Sequence, residues 1–391
     1  MAFYSMGLWV LAVWLLFQDN MSTKKLSKDG VYEYKVSTAY CVLLFALPFV
    51  ILALRTQFGD TGSYFGEYDY LVTENAEYFK AHISKRDHSQ LFYGLEFYFK
   101  KYIFNDSQWF FGSITLLQAF LTLRGFKKYS VDVGFSTFIF IASAMACQWM
   151  GNGVRQYIAV AILFVATDWI INNKWYLYIP LLVFLMGLSP ITSRLGLETA
   201  PWYLCGIHQS AIIAIPIFFC IQGKPFNKKV WLIVAVFVVL ILTGSLDDFL
   251  DSSVENTTYT KDLQNVEADA GTNIFRVIVS SIPAVLAFIS KRKLDEPDTP
   301  EIIKISANAS VITSVLYVAS AFTSGIYVGR LPAYTELYGY ILVPWLVKHN
   351  FKENEQMMRM GLIIMYLVYF GYQTLVVWKG FYQSSILGIG V

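Results

Sequence analysis

Apolar residues along the chain gather into runs of about the length that crosses a bilayer as helix, at 2–18, 38–54, 107–123, 134–150, 156–171 and 175–189. Six more follow, at 207–222, 230–246, 273–290, 305–324, 331–347 and 360–378. The pattern predicts an all-α polytopic membrane protein, with about twelve transmembrane helices in one transmembrane domain over 1–391. Three longer polar connections interrupt it, at 55–106, 189–206 and 247–272. In the first, Leu91, Leu95, Phe99 and Tyr102 recur at helical spacing beside Phe92, Tyr98 and Ile103, while Glu96, Lys100 and Lys101 are polar. This spacing predicts an amphipathic helix lying on the membrane surface. The third sets Asp247, Asp248, Asp251, Glu255, Asp262, Glu267 and Asp269 against Lys261 alone. An acidic run is usually a solvated loop; a lid over a sugar groove or a weak cation site is the other reading.

Charge adds orientation. Lysines and arginines concentrate in alternate short connections: Lys24, Lys25, Lys28 and Lys35; Arg124, Lys127 and Lys128; Lys174; Lys224, Lys228 and Lys229; Lys291, Arg292, Lys293 and Lys304; Lys348, Lys352 and Arg359. These connections are cytosolic by the positive-inside rule, which leaves both termini and the three long connections outside. Composition agrees: charged residues are 15% of the chain, below the roughly 25% of soluble domains. Most tryptophans stand near ends of apolar runs, as an interfacial belt requires. Cys41, Cys147, Cys205 and Cys220 show no Cys-x-x-Cys spacing and lie in or beside apolar runs, so they read as small packing residues, with a Cys147–Cys205 disulfide as the alternative. The first run lacks a positive leader and a cleavage site and reads as a retained span.

Four outer arginines need a separate reason. Arg55 ends the second helix; Arg155, Arg276 and Arg330 stand at or just before helix starts. A cation is locally disfavoured at a helix N-terminus, and makes sense there if an anion shares the site, held by backbone N–H groups and guanidinium forks. Taken singly, each arginine can also be a snorkelling or tethering side chain. Arg194 lacks a comparable setting. His208 is the only histidine inside a predicted membrane helix, in the first turn of the seventh. A lone histidine is more often a packing group, but partial burial at a helix N-terminus favours the neutral imidazole, which can accept a proton.

The stretch RTQFGDTGSYF at 55–65, with Arg55, Asp60, Thr61 and Tyr64, resembles the opening motif of the EpsG family. Further segments follow in order: GVRQYIAVA at 153–161, IHQSAII at 207–213, GTNIFR at 271–276, an Asn- and Ser-rich span at 308–317, and Arg330 and Leu331 with Tyr334. The stretch SPITSRLGLETAPWYLCG at 189–206 departs from the family pattern as an insertion-like outer loop that could shape acceptor specificity.

The resemblance implies a Wzy-type, GT-C-like glycosyltransferase of the bacterial plasma membrane. It implies polymerisation of undecaprenyl-pyrophosphate-linked repeat units into a capsule, exopolysaccharide or O-antigen, alongside a flippase and a chain-length regulator. On that reading Arg155, Arg276 and Arg330 take up charge growing on the lipid pyrophosphate, and Arg55 and Tyr64 orient a phosphate or sugar. Tyr334 belongs to the same binding set. His208 is the best-placed base for the acceptor hydroxyl, with Asp60 as fallback or as a tether. No cofactor, dedicated metal ion or nucleic-acid partner is expected. A lipid-linked oligosaccharide flippase and a polysaccharide ligase are the alternatives. A transporter would more typically carry ionisable residues in mid-span, where only Asp168 and Glu336 come near.

Overall fold

The computed structural model describes residues 1–26, 32–73, 75–84, 89–188, 206–243, 271–323, 325 and 328–390. The insertion-like residues 189–205, with Cys205, and the acidic residues 247–269 lie outside them. Helix falls within every apolar run, and the protein is membrane-embedded. Among the described residues three helices are long and apolar enough to cross a bilayer, Ala2–Met21, Glu301–Phe322 and Lys352–Val377, with shorter apolar helices beside them. Where the apolar pattern reads as one continuous domain, backbone contacts gather into two compact units: residues 1–215 with 360–391, and residues 216–359.

Unit 1 begins with α1 (Ala2–Met21) and α2 (Thr38–Ala53). Between them runs a hairpin that the basic connection did not predict, β1 (Ser22–Leu26) antiparallel to β2 (Tyr32–Val36), with Ser22 opposite Val36 and Leu26 opposite Tyr32. The next polar stretch holds three helices: α3 (Thr61–Asp69), α4 (Ala76–Ser84) and α5 (Gln90–Tyr102). The last is the expected amphipathic helix, with a different face turned inward. Phe92, Tyr93 and Phe97 are buried together with Glu96, which is 1% exposed, while Leu95, Tyr98 and Tyr102 are exposed. Lys100 ties α5 to α3 by donating to the Tyr68 and Asp69 carbonyls (2.8 and 2.6 Å). Cations suit the last carbonyls of a helix for that reason.

α6 (Ser107–Tyr129) leads to α7 (Val133–Ala142), whose ten residues are all buried. α7 packs against α1, α2 and α6, and Phe135 stacks on Trp14 with ring centroids 4.7 Å apart. Gly134 permits this approach, since a Cβ there would fall 2.3 Å from the Trp14 ring. In a bilayer, lipid tails are as apolar as leucine, so small residues and close packing hold such helices together.

The run 134–150 is not one continuous helix. α7 stops at Ala142, Ala144 takes a positive φ of 68°, and the chain resumes as a π-helical turn, Cys147–Asn152, before α8 (Val154–Val165). A non-glycine residue in that region is uncommon and breaks the α-helical ladder, and π turns gather at functional sites. α9 (Thr167–Ile171) and α10 (Trp175–Met186) follow. The 207–222 run is a 3₁₀ turn, Gln209–Ile213, and then α11 (Ala214–Cys220). The C-terminal part of unit 1 comes from α17 (Glu355–Gly371) from residue 360 onward, a second π turn, Tyr372–Val377, and a tail.

Unit 2 contains α12 (Lys228–Leu242), α13 (Ile274–Ile289), α14 (Lys291–Leu294), α15 (Glu301–Phe322) and α16 (Ala333–His349). All seventeen residues of α16 are buried, with α13 and α15 against it. Gly339 of α16 meets Pro283 of α13, and an added Cβ would sit 3.0 Å from the proline ring. α16 ends on His349, two residues beyond the apolar run at 331–347. The His349 ring is buried and stacks on Trp345 at 4.5 Å.

Candidate active site

The π turn Cys147–Asn152 receives the loop that follows α2. Arg55 is 1% exposed, and its Nε donates to the Gly151 carbonyl (2.9 Å) and Thr61 Oγ1 (3.0 Å). Its Nη1 donates to the Leu52 carbonyl and to Thr115 Oγ1 (3.3 Å). Burial presses the guanidinium down to about 10, which leaves it charged at neutral pH. Asn152 Oδ1 accepts from the Asp60 backbone N–H at 2.6 Å, and Gly59 is required beside it: φ is +53° and a Cβ would fall 2.2 Å from that oxygen. From the other side the tail closes over the loop. The Thr56 and Gln57 N–H groups donate to the Gln383 carbonyl (2.8 and 3.2 Å), which Gln383 returns to Gln57 at 2.9 Å. Tyr382 donates to the Ile51 carbonyl at 2.8 Å, and burial pushes its phenol up to about 12, so it stays a donor. Arg55 therefore anchors the motif from inside through Nε and Nη1, while its buried Nη2 has no hydrogen-bond partner among the described residues.

Docking this loop presents Asp60 and Tyr64 differently. Asp60 occupies the N-cap position of α3 with no side-chain capping bond, and its side chain is exposed. Tyr64 lies one turn on. Arg155, second residue of α8, comes immediately after the π turn and lies half-buried over two aromatic rings, Tyr64 at 5.5 Å and Tyr93 of α5 at 5.3 Å. Stacking of this kind uses the faces of the planar guanidinium, whose N–H donors lie in its plane. His82 of α4 meets the edge of Tyr93 at 6.0 Å, and its Nε2 is 3.9 Å from Glu67 of α3. Neither Tyr93 nor His82 stood out in the sequence. Tyr93 sits among aromatics on every side of α5, and His82 lies in a short helix without a motif.

His208 stands before the 3₁₀ turn in extended conformation, φ −156° and ψ 120°, and not inside a helical first turn. Its N–H and that of Ile207 both donate to the Leu185 carbonyl at the end of α10 (3.1 and 2.8 Å). Gly206, at φ +75°, allows this because a Cβ would clash with Gly187 at 2.4 Å. The Gly206 carbonyl accepts from Leu91 N–H of α5 (3.2 Å), so α5 touches both the Arg155 and the His208 segments. The imidazole is 8% exposed, with Nδ1 2.7 Å from Ser210 Oγ. In the tautomer that donates Nδ1–H to Ser210, Nε2 carries the ring's acceptor lone pair.

Unit 2 carries the remaining candidates at one end. The Thr272 N–H donates to the Ser320 carbonyl (2.9 Å) and the two side-chain hydroxyls meet at 2.7 Å. Gly271, at φ +74°, sits against the last carbonyls of α15, and a Cβ on Gly329 would be 2.8 Å from Thr272 Oγ1. This knot brings the start of α13, capped by Asn273 and carrying half-buried Arg276, to the same end of α15 as the 3₁₀ turn Val328–Arg330. Tyr334 is buried in the first turn of α16. Below it lies a polar layer: Tyr317 donates to Glu336 Oε2 (3.1 Å), Ser280 to Oε1 (3.5 Å), and Thr313 meets Thr335 at 2.7 Å. Glu336 is thus a hydrogen-bonded interior carboxyl. No group of three or more metal-ligating side chains occurs among the described residues.

No curated protein and no solved structure matches the chain. The model of the EpsG family does, over residues 38–198 and 202–385. Its one interruption falls inside the insertion-like stretch 189–206, and the matched residues include the docked Arg55 loop, Arg155, His208, Arg276 and Arg330. The chain belongs to the EpsG family.

Proposed function

We propose that this protein is a Wzy-type polymerase of a bacterial surface polysaccharide, acting at the outer face of the plasma membrane on undecaprenyl-pyrophosphate-linked repeat units. Family membership supports a polymerase-like role in polysaccharide synthesis. The observation that carries the finer reading is Arg155, set at a helix start over Tyr64 and Tyr93. In the reaction an acceptor sugar hydroxyl forms the new bond to the anomeric carbon of the donor glycan while the anomeric C–O bond to the lipid pyrophosphate breaks. The proton passes from the hydroxyl to Nε2 of His208, and the electron pair leaves with the pyrophosphate. Arg155 stabilises that growing charge, which is where fixed positive charge accelerates transfer. Arg276 and Arg330 are the candidates in unit 2 for a lipid-linked phosphate. Tyr64 and Asp60 are candidates for sugar contact, and Arg55 acts as a positioning residue.

The discriminating experiment is the size distribution of surface glycan in cells lacking this chain. Single repeats on lipid at the outer leaflet support polymerisation. Absence of outer-leaflet repeats would make the protein a flippase, and long chains stranded on lipid a ligase.

A further inference from the structure

At the other end of unit 2 from Arg276, a cleft of about 870 Å³ opens between three segments: the turn before α12, the α14 region, and the start of α15. Five lysines line it, Lys224, Lys228, Lys229, Lys291 and Lys304. Two carboxylates share the lining, Asp295 and Glu296, and Glu296 is paired with Lys293 at 2.5 Å. Lys304 pairs with Glu301 at 3.5 Å, and Lys229 Nζ donates to the Phe219 carbonyl at 3.1 Å. Lys224, Lys228 and Lys291 are exposed and meet no carboxylate among the described residues. The positive-inside rule explains lysines in this connection. It does not explain their convergence on one concavity.

Two features show a shaped site. Lys228 and Lys229 open α12, a fifteen-residue helix whose N-cap Asn227 accepts from the Lys229 and Val230 N–H groups (2.9 and 3.1 Å). Cations there oppose the helix dipole unless an anion is present. The turn carrying Lys224 is also locked from beneath by Asn308, a residue with no exposed surface. Its Oδ1 accepts from Phe226 N–H (2.7 Å), and its Nδ2 donates to the Ile221 and Lys224 carbonyls (3.0 and 3.1 Å). Phe226 is held at φ +55° and Gly223 at +88°. A buried amide that saturates three backbone groups fixes the lysine-bearing turn before any ligand arrives, and such preorganisation lowers the ordering cost of binding.

We propose that this cleft binds a phosphoryl group at the cytosolic face, either the headgroup of an anionic phospholipid or a soluble phosphate. Lysine is a point-charge phosphate binder, and basic pockets between membrane helices on the cytosolic side take phospholipid headgroups. The inference is independent of the glycan chemistry proposed for the outer face.

Full-length protein in nanodiscs tests it. One arm counts phosphatidylglycerol retained from phosphatidylcholine discs by native mass spectrometry; the other measures inorganic pyrophosphate binding in pure phosphatidylcholine discs by calorimetry. The combined variant Lys224→Gln, Lys228→Gln and Lys291→Gln should weaken binding by roughly fivefold per lysine, about 10²-fold together. The control removes the same charge elsewhere on that side, as Lys24→Gln, Lys25→Gln and Lys35→Gln, and should keep most of the affinity. Loss confined to the lipid arm assigns a headgroup, and loss confined to the pyrophosphate arm assigns a soluble phosphate. Equal loss in cleft and control variants, or no loss in either arm, overturns the site. Asn308→Ala keeps every charge and should still weaken binding by loosening the turn. Should it fail to fold, the lysine variants decide alone.

Discussion

Arg55 and Arg155 belong to the same unit, both lie beside the π turn Cys147–Asn152, and they differ in burial and in their aromatic contacts. Arg55 is desolvated and meets oxygen acceptors of its own chain: Gly151, Thr61, Leu52 and Thr115. Arg155 is half-buried and lies over aromatic faces. Fixed acceptors offset the cost of burying a cation, and those on Nε and Nη1 give Arg55 the task of holding the loop. Arg155 keeps part of its surface exposed, with its guanidinium set over the rings of Tyr64 and Tyr93. The same residue type thus serves as anchor in one place and as candidate ligand group in the other, and burial with its partners tells them apart.

The largest expected effect is at the anchor. Arg55→Ala takes the guanidinium donor from the Leu52 and Gly151 carbonyls, at about 1–3 kcal/mol for a buried acceptor left unsatisfied, and should collapse the yield of monodisperse protein and lower its thermal midpoint. Arg55→Lys should not rescue it, because one ammonium cannot replace a planar fork that reaches acceptors in several directions. Wild-type thermal behaviour of Arg55→Ala with lost donor-lipid binding would erase the contrast with Arg155.

His208→Ala comes next. Loss of a general base costs about 10² to 10⁴ in rate, and the arginines proposed to bind phosphate remain. With purified protein and lipid-linked repeat units, donor binding should be nearly normal and chain extension very slow. Wild-type chain length in the variant would return His208 to a packing role and make Asp60 the leading base.

At Arg155 the effect should be about 10² to 10³ on turnover for Arg155→Ala, the scale on which a charge-stabilising donor acts, together with weakened donor binding. Here the thermal midpoint should stay close to wild type. Arg155→Lys keeps the charge without the plane and should remain strongly impaired. Near-normal activity in the lysine variant would reduce Arg155 to a point charge.

Local patterning made the helices legible, because each apolar run carries its own signal over some fifteen residues or more. The placement of the arginines at helix starts was legible for the same reason: Arg155 and Arg276 lie in first turns and Arg330 just before one. What stayed hidden was decided by distant partners. Nothing near Arg55 announces Gly151, 96 residues away, or the tail at Gln383 that pairs with its loop. The break at Ala144 falls in a run with no proline or glycine between 135 and 150, so only packing could impose it. On α5 aromatic residues occur on several faces, and spacing alone did not reveal that Glu96 would be turned inward. The hairpin was missed because its strands are five residues long and rich in lysine and tyrosine.

The smallest effect, and the sharpest test of what aromatic faces do for Arg155, lies at Tyr93. This side chain is buried, its ring is 5.3 Å from the Arg155 guanidinium carbon, and its edge contacts include His82 and Phe92. Tyr93→Phe keeps a π face of the same size, whereas Tyr93→Leu keeps an apolar side chain and removes the face. A cation–π contact is worth about 0.5 to 2 kcal/mol according to desolvation, so Tyr93→Leu should lower kcat/KM by roughly twofold to thirtyfold, with Tyr93→Phe close to wild type. Packing loss alone would lower the thermal midpoint of Tyr93→Leu without depending on residue 155. The decisive measurement is therefore the double variant. If the ring acts through the guanidinium, adding Tyr93→Leu to Arg155→Ala should cost little further activity. If the two losses multiply in full, Tyr93 supports α5 by itself, and the aromatic setting of Arg155 is incidental to its chemistry.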